Sequence, residues 1–189
     1  MSQQAEHMKH RLELFSDAVF AIIITVMLLE LRIPETGGWS GWKPLLPGLL
    51  AYAVTFVFLL VVWLGHHHMF SRLRVISRGM YWANGFCLLL TSLIPLALHN
   101  FVSRPKDPTA LVLYLALVFL AFQCLTVIRL LANAEHGNDP GWAAWRRKRN
   151  RVATLLSLLQ LGIAATAFVS IPLAIGLYVA LILAFIPTL

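Results

Sequence analysis

Two carboxylates, Asp17 and Glu30, bracket an uncharged apolar run of 12 residues. A helix stretches that run over about 18 Å, short of the ~30 Å hydrocarbon layer of a bilayer. Ionisable groups held at such depth are costly, and by default they mark a path for ions or substrate. At about 100° per residue, Arg11, Phe15, Ala18, Ile22, Thr25 and Leu29 fall along one line of the helix. Around a wet axis, Ile22 and Leu29 would form apolar rings that gate by expelling water. The Thr25 hydroxyls between them would replace part of an ion's hydration shell. The same line serves equally well as an ordinary helix–helix contact. Ser16 and Asp17 fall off it, and Asp17 sits about 140° around from Ile22, toward protein rather than any lumen.

The consecutive His66, His67 and His68 invite a metal-site reading. Neighbours on a helix point about 100° apart, so three in a row cannot converge on one ion, and no metal or other cofactor is expected. Trp63, His67 and Phe70 share a face by i, i+4, i+7 spacing, which carries His67 to the depth of Asp17. Asn84 opens the following apolar segment at the same level. Ser16, Asp17, Trp63, His67 and Asn84 are therefore expected to form one polar layer whose members satisfy each other's hydrogen bonds away from water. His7, His10, His99 and His136 show no ligand spacing, and no nucleophile lies beside a base, so the chain does not read as an enzyme.

These residues are set in a chain that is 59% hydrophobic and only 12% charged over 189 residues, with a mean hydropathy of +0.78. That composition excludes a soluble protein and predicts a single all-α integral membrane domain, 1–189. Six apolar segments can be marked, at Phe15–Ile33, Leu45–Gly65, Ala83–Val102, Thr109–Leu131, Ala153–Ser170 and Pro172–Pro187. The net charge of +7 does not imply nucleic acid, because the basic residues punctuate the apolar segments instead of forming a soluble stripe. Lys9 and Arg11 precede the first, Arg72, Arg74 and Arg78 follow the second, and Arg146, Arg147, Lys148, Arg149 and Arg151 follow the fourth. The positive-inside rule places all three groups, and both termini, in the cytoplasm.

Outer loops are then expected at Pro34–Pro44 and Ser103–Pro108, with a polar cytoplasmic loop over Asn133–Arg151 whose run Arg146–Arg151 lies against anionic headgroups. Ser170–Pro172 makes a tight break between the last two segments. Cys87 and Cys124 lie in apolar runs as small packing groups. The polar, basic N-terminus runs into its apolar segment without a small-residue cleavage pattern, so no removable leader is read. No TVGYG-type filter, voltage-sensor arginine array or internal repeat is found.

Arg11, Phe15, Ser16 and Asp17 spell RxxxFSD, followed by AVFAI, Thr25 and LLEL. This string resembles the first helix of the transmembrane protein 175 family of potassium channels. The WxxHHxxF pattern at Trp63, His66, His67 and Phe70 resembles the second helix of its prokaryotic members, and Asn84 with Pro95 more loosely the third. The resemblance implies six transmembrane helices per subunit and a homotetramer in a prokaryotic plasma membrane. The first helix would line a K⁺-preferring leak pore, with other monovalent cations or H⁺ as further candidate permeants. It implies constriction and selectivity at Ile22, Thr25 and Leu29, with Arg11, Phe15, Ser16 and Asp17 as organisers of the pore helix. The alternative from the residues alone is a small proton-coupled secondary transporter relaying protons through Asp17 and His67.

Overall fold

A computed structural model describes residues 3–31, 38, 42–73, 76–136 and 139–185 of the chain. Ile33, Arg74, Pro187, the His136 side chain and most of the Pro34–Pro44 loop lie outside the described residues. The described chain is helical throughout: α1 (Gln3–Leu29), a short 3-10 turn (Lys43–Leu45), α2 (Leu46–Phe70), α3 (Arg78–Ser92), α4 (Ile94–Ser103), α5 (Pro108–His136), α6 (Pro140–Thr166) and α7 (Ile171–Phe185).

Most of these helices open on a local signal. Ser77 Oγ accepts from Met80 N at the start of α3, and Asp139 Oδ1 accepts from Gly141 N (2.8 Å) ahead of Pro140 in α6. Asp107 Oδ1 accepts from Thr109 N (2.9 Å) ahead of Pro108 in α5, and hydrogen bonds from Thr109 hold this carboxyl below its usual range. A side-chain oxygen at the cap answers a backbone N–H that has no helical partner, and proline in the first turn has no N–H to leave unanswered.

α3 and α4 together make the third membrane segment, broken at Leu93. Pro95 removes a backbone donor and its ring crowds the carbonyl one turn back, which interrupts the ladder. Thr91 and Ser92 return their hydroxyls to the carbonyls of Cys87 (2.7 Å) and Leu89 (2.7 Å) beside the break. The sequence predicts this segment as continuous; the proline divides it.

A second difference falls on the polar loop. Residues from Pro140 onward are already helix, so the run Arg146–Arg151 is the first half of α6 and continues without interruption into the apolar fifth segment. Asp139 and Pro140 supply the start that reading the stretch as a loop had overlooked. Among the described residues four helices are long and apolar enough to cross a membrane, Glu6–Leu29, Lys43–Phe70, Arg78–Ser103 and Pro108–Asn133, with Ile171–Ala184 a shorter apolar helix. The apolar half of α6 and α7 make a hairpin through Ala167–Ser170.

α5 is the hub, packing on α2, α3, α4 and α6. Phe20, Leu59, Val62, Phe70, Met80, Ile94, Val118 and Ile128 are buried in one continuous core. α1 packs chiefly on α2 and α3 and so stands at the margin of the bundle.

Candidate functional site

α1 has two faces of different character. Leu12, Ser16, Phe20, Ile23 and Met27, spaced by three and four residues, are buried against the rest of the chain. Arg11, Phe15, Ala18, Ile22, Thr25 and Leu29 are all exposed on the other side. Exposure reaches 59% at Phe15, 60% at Ile22 and 80% at Leu29, so none of these three fills the chain's own core. Thr25 donates its hydroxyl proton to the carbonyls of Ile22 (2.9 Å) and Ala21 (3.1 Å). Its proton is committed to the backbone, and its oxygen lone pairs remain available as acceptors.

Behind α1 lies a chain of hydrogen bonds through three helices. His66 Nε2 donates to Asn84 Oδ1 (2.7 Å), Asn84 Nδ2 donates to Ser16 Oγ (3.0 Å), and Ser16 donates to the Leu12 carbonyl (2.8 Å). His66, Asn84 and Ser16 are each at most 1% exposed. His66 stacks on Phe70 (4.2 Å between ring centres), with Phe20 edge-on to it (5.8 Å). A polar group buried this deeply must be bonded: His66 ties α2 to α3, Asn84 ties α3 to α1, and Ser16 closes on its own turn.

Beside this chain, Trp63 Nε1 donates to Asp17 Oδ1 (2.8 Å). The histidine of the buried chain is therefore His66 and not the predicted His67, which is exposed and stacks on the Trp63 indole (6.0 Å). The reason is rotational: Thr55, Leu59, Val62, His66 and Met69, at steps of three and four, form the buried face of α2. Counting back from that run would have identified His66; the Trp63–His67–Phe70 spacing used instead mixes two faces. Asp17 and His67 do not bond to each other, which removes the relay that motivated a transporter.

Arg11 is exposed and forms no ion pair among the described residues. At the other end of α1, Glu30 Oε2 lies 3.3 Å from His99 Nδ1, a pairing the sequence reading did not anticipate. Among the described residues no group of three metal-ligating side chains occurs.

The Trp63–Asp17 bond carries its own prediction. Trp63→Phe keeps most of the ring and deletes the N–H, so the half-buried Asp17 carboxylate loses one donor. A loss of about 1.5 kcal/mol is expected for a bond to a charged group. Thermal denaturation in detergent should show a drop in Tm of roughly 3–6 °C, and an unchanged Tm would mean that water replaces the indole.

Residues 11–95 match the family model described as endosomal/lysosomal potassium channel TMEM175. A potassium channel of Chryseobacterium sp. (strain P1-3) is 45% identical over 89 residues, 47% of this chain, and the matched stretch spans 46% of that protein. A potassium channel of Streptomyces collinus is 30% identical over 176 residues, 88% of this chain and 85% of that protein. Among solved structures, the crystal structure of a lysosomal potassium-selective channel TMEM175 homolog from Chamaesiphon minutus superposes with a TM-score of 0.84 at 25% identity, over 96% of this chain and 98% of that one. The family match begins at Arg11 and takes in the exposed line of α1, the Trp63–Asp17 bond and the buried His66–Asn84–Ser16 chain, and the Streptomyces and Chamaesiphon likenesses extend over nearly the whole chain: this protein belongs to the TMEM175 family.

Proposed function

We propose that four copies of this chain assemble with their α1 helices around a common axis and let K⁺ pass down its gradient. The observation that carries this reading is the unpartnered line Arg11–Phe15–Ala18–Ile22–Thr25–Leu29, on a helix whose opposite face is locked to its own subunit by core packing and buried hydrogen bonds. One thin helix cannot enclose a conduit, so the line works only with copies of itself. Potassium channels among the relatives supply the ion, and the basic groups at the ends of alternate segments supply the topology, a plasma-membrane protein with both termini cytoplasmic.

In this assembly Ile22 and Leu29 narrow the path with apolar side chains. Thr25 offers a ring of oxygen acceptors between them, each with its proton turned back to the backbone. Asp17 and Ser16 hold the helix in register from behind. The polar layer is a brace and the exposed line is the conduit.

K⁺-loaded liposomes containing the purified protein should release K⁺ well above protein-free vesicles. Thr25→Ala should keep the flux but lower K⁺ over Na⁺ preference by about three- to tenfold, the weight of one hydrogen-bond-strength ligand. Reversal potentials under bi-ionic conditions measure this. An unchanged ratio would take Thr25 out of the conduction path, and no flux from the wild type would remove the channel reading altogether.

A further inference from the structure

Where α2 ends and α6 begins, the bundle leaves a recess lined by Gly65, Arg129, Trp145 and Arg149 among apolar side chains. Arg129, near the end of α5, is 7% exposed. Its Nε donates to Asn150 Oδ1 (3.1 Å) and its Nη2 to Thr126 Oγ1 (2.9 Å). Both acceptors are neutral, and a guanidinium carries five N–H donors. Arg149 opens onto the same recess, and Arg72 lies over the Trp145 ring at 5.1 Å. One turn earlier on α6, the Nε of Arg146 is buried with no hydrogen-bond partner among the described residues.

No carboxylate among the described residues pairs with this group. Among the described residues the ion pairs are Lys9–Glu13 and His99–Glu30, both on other parts of the molecule. Burial, and then the charge of Arg72, hold Arg149 below its ordinary value. Buried cations without a carboxylate are costly, so an anion from outside the chain is the natural complement.

The size and level of the recess narrow its identity. Its volume of about 30 Å³ has room for an oxygen or two and not for a whole small molecule. What enters must be the oxygen-bearing end of something that stays at the mouth. Trp142 and Trp145 on α6 mark the level as the membrane–water interface. Basic pockets between membrane helices at that level bind lipid headgroups, and paired guanidiniums match phosphate oxygens in geometry as well as charge.

We propose that Arg129 and Arg149 form a binding site for the phosphate of an anionic phospholipid. The site does not depend on conduction; the topology proposed above would place it in the cytoplasmic leaflet.

Native mass spectrometry of the purified protein, exposed to phosphatidylglycerol or phosphatidylcholine at equal concentration, tests it. The wild type should retain phosphatidylglycerol preferentially. Arg149→Gln should lower that retention about tenfold, as expected for one charge-assisted contact, and Arg129→Gln should act alike. Arg147→Gln, an exposed residue of the same run, should stay within about twofold of wild type. If Arg129→Gln fails to fold, Arg149→Gln carries the test alone. Equal loss in Arg147→Gln would reduce the effect to diffuse charge and overturn the site. So would the absence of a preference for phosphatidylglycerol, or equal displacement of the lipid by inorganic phosphate at the same concentration. Because no ion flux is read, failure of the pore reading would leave this result unchanged.

Discussion

Ile22→Asn should raise K⁺ flux through reconstituted protein by about tenfold or more. In the proposed tetramer a ring of isoleucine side chains would hold water out of a narrow passage, and an ion would have to strip or drag its hydration shell through that gap. Asparagine is smaller than isoleucine and supplies a carbonyl and an amide to each copy, so the constriction would both widen and wet. Every 1.4 kcal/mol, roughly, removed from the barrier multiplies the rate tenfold, and exchanging apolar for polar lining changes local hydration by at least that much. The matched control is Leu28→Asn. Leu28 is also exposed, at 47%, but sits about 120° around α1 from Ile22. Its flux should stay near wild type. Equal flux from both variants and the wild type would place Ile22 against lipid or another packing surface, and the tetrameric arrangement would lose its main support.

The second large effect is on folding. Asn84→Leu removes the acceptor of His66 Nε2 and the donor to Ser16 Oγ together. Hydrogen bonds between membrane helices average only about 0.6 kcal/mol, because the separated helices find other partners. Here the cost is larger, about 2–4 kcal/mol, since His66 is left between Phe20 and Phe70 with a buried N–H and nothing to accept it. Denaturation by SDS, followed by circular dichroism, should show it. Adding His66→Phe to Asn84→Leu removes the stranded donor and should recover more than about 1 kcal/mol, the signature of two coupled residues. No recovery would assign the loss to packing at Asn84 instead of to its hydrogen bonds.

Both variants act on the same helix from opposite sides, which is why they separate so cleanly. Ile22 belongs to the exposed face of α1. Asn84 belongs to the structure that keeps that surface turned outward. If α1 rolled by one residue, about 100°, Ser16 would leave Asn84 and the exposed line would turn partly toward lipid.

Much of this was legible in the residues. Composition alone required membrane helices, because a chain this apolar has no soluble solution. Spacing along α1 picked out one line of six residues, and that whole line is exposed, because a single helix has only one rotation that buries Leu12, Ser16, Phe20, Ile23 and Met27 together. Asp17 was placed off the line by the same count. Periodicity works where one helix carries both a polar and an apolar signal.

It failed where the signal came from elsewhere. Three adjacent histidines offer three rotations of α2, and nothing within them says which ring turns inward; burial of Leu59, Val62 and Met69 in the core decided for His66. The break before Pro95 and the helical start at Pro140 each hung on one proline, whose effect depends on whether the neighbouring backbone groups find other partners. The recess of Arg129 and Arg149 joins residues from two helices whose contact no local pattern announces. The sequence by itself determined the solvent of this protein, its helices and the line that α1 presents. Only the tertiary structure decided which polar groups meet, because hydrogen bonds need distances of about 3 Å between helices that periodicity cannot supply.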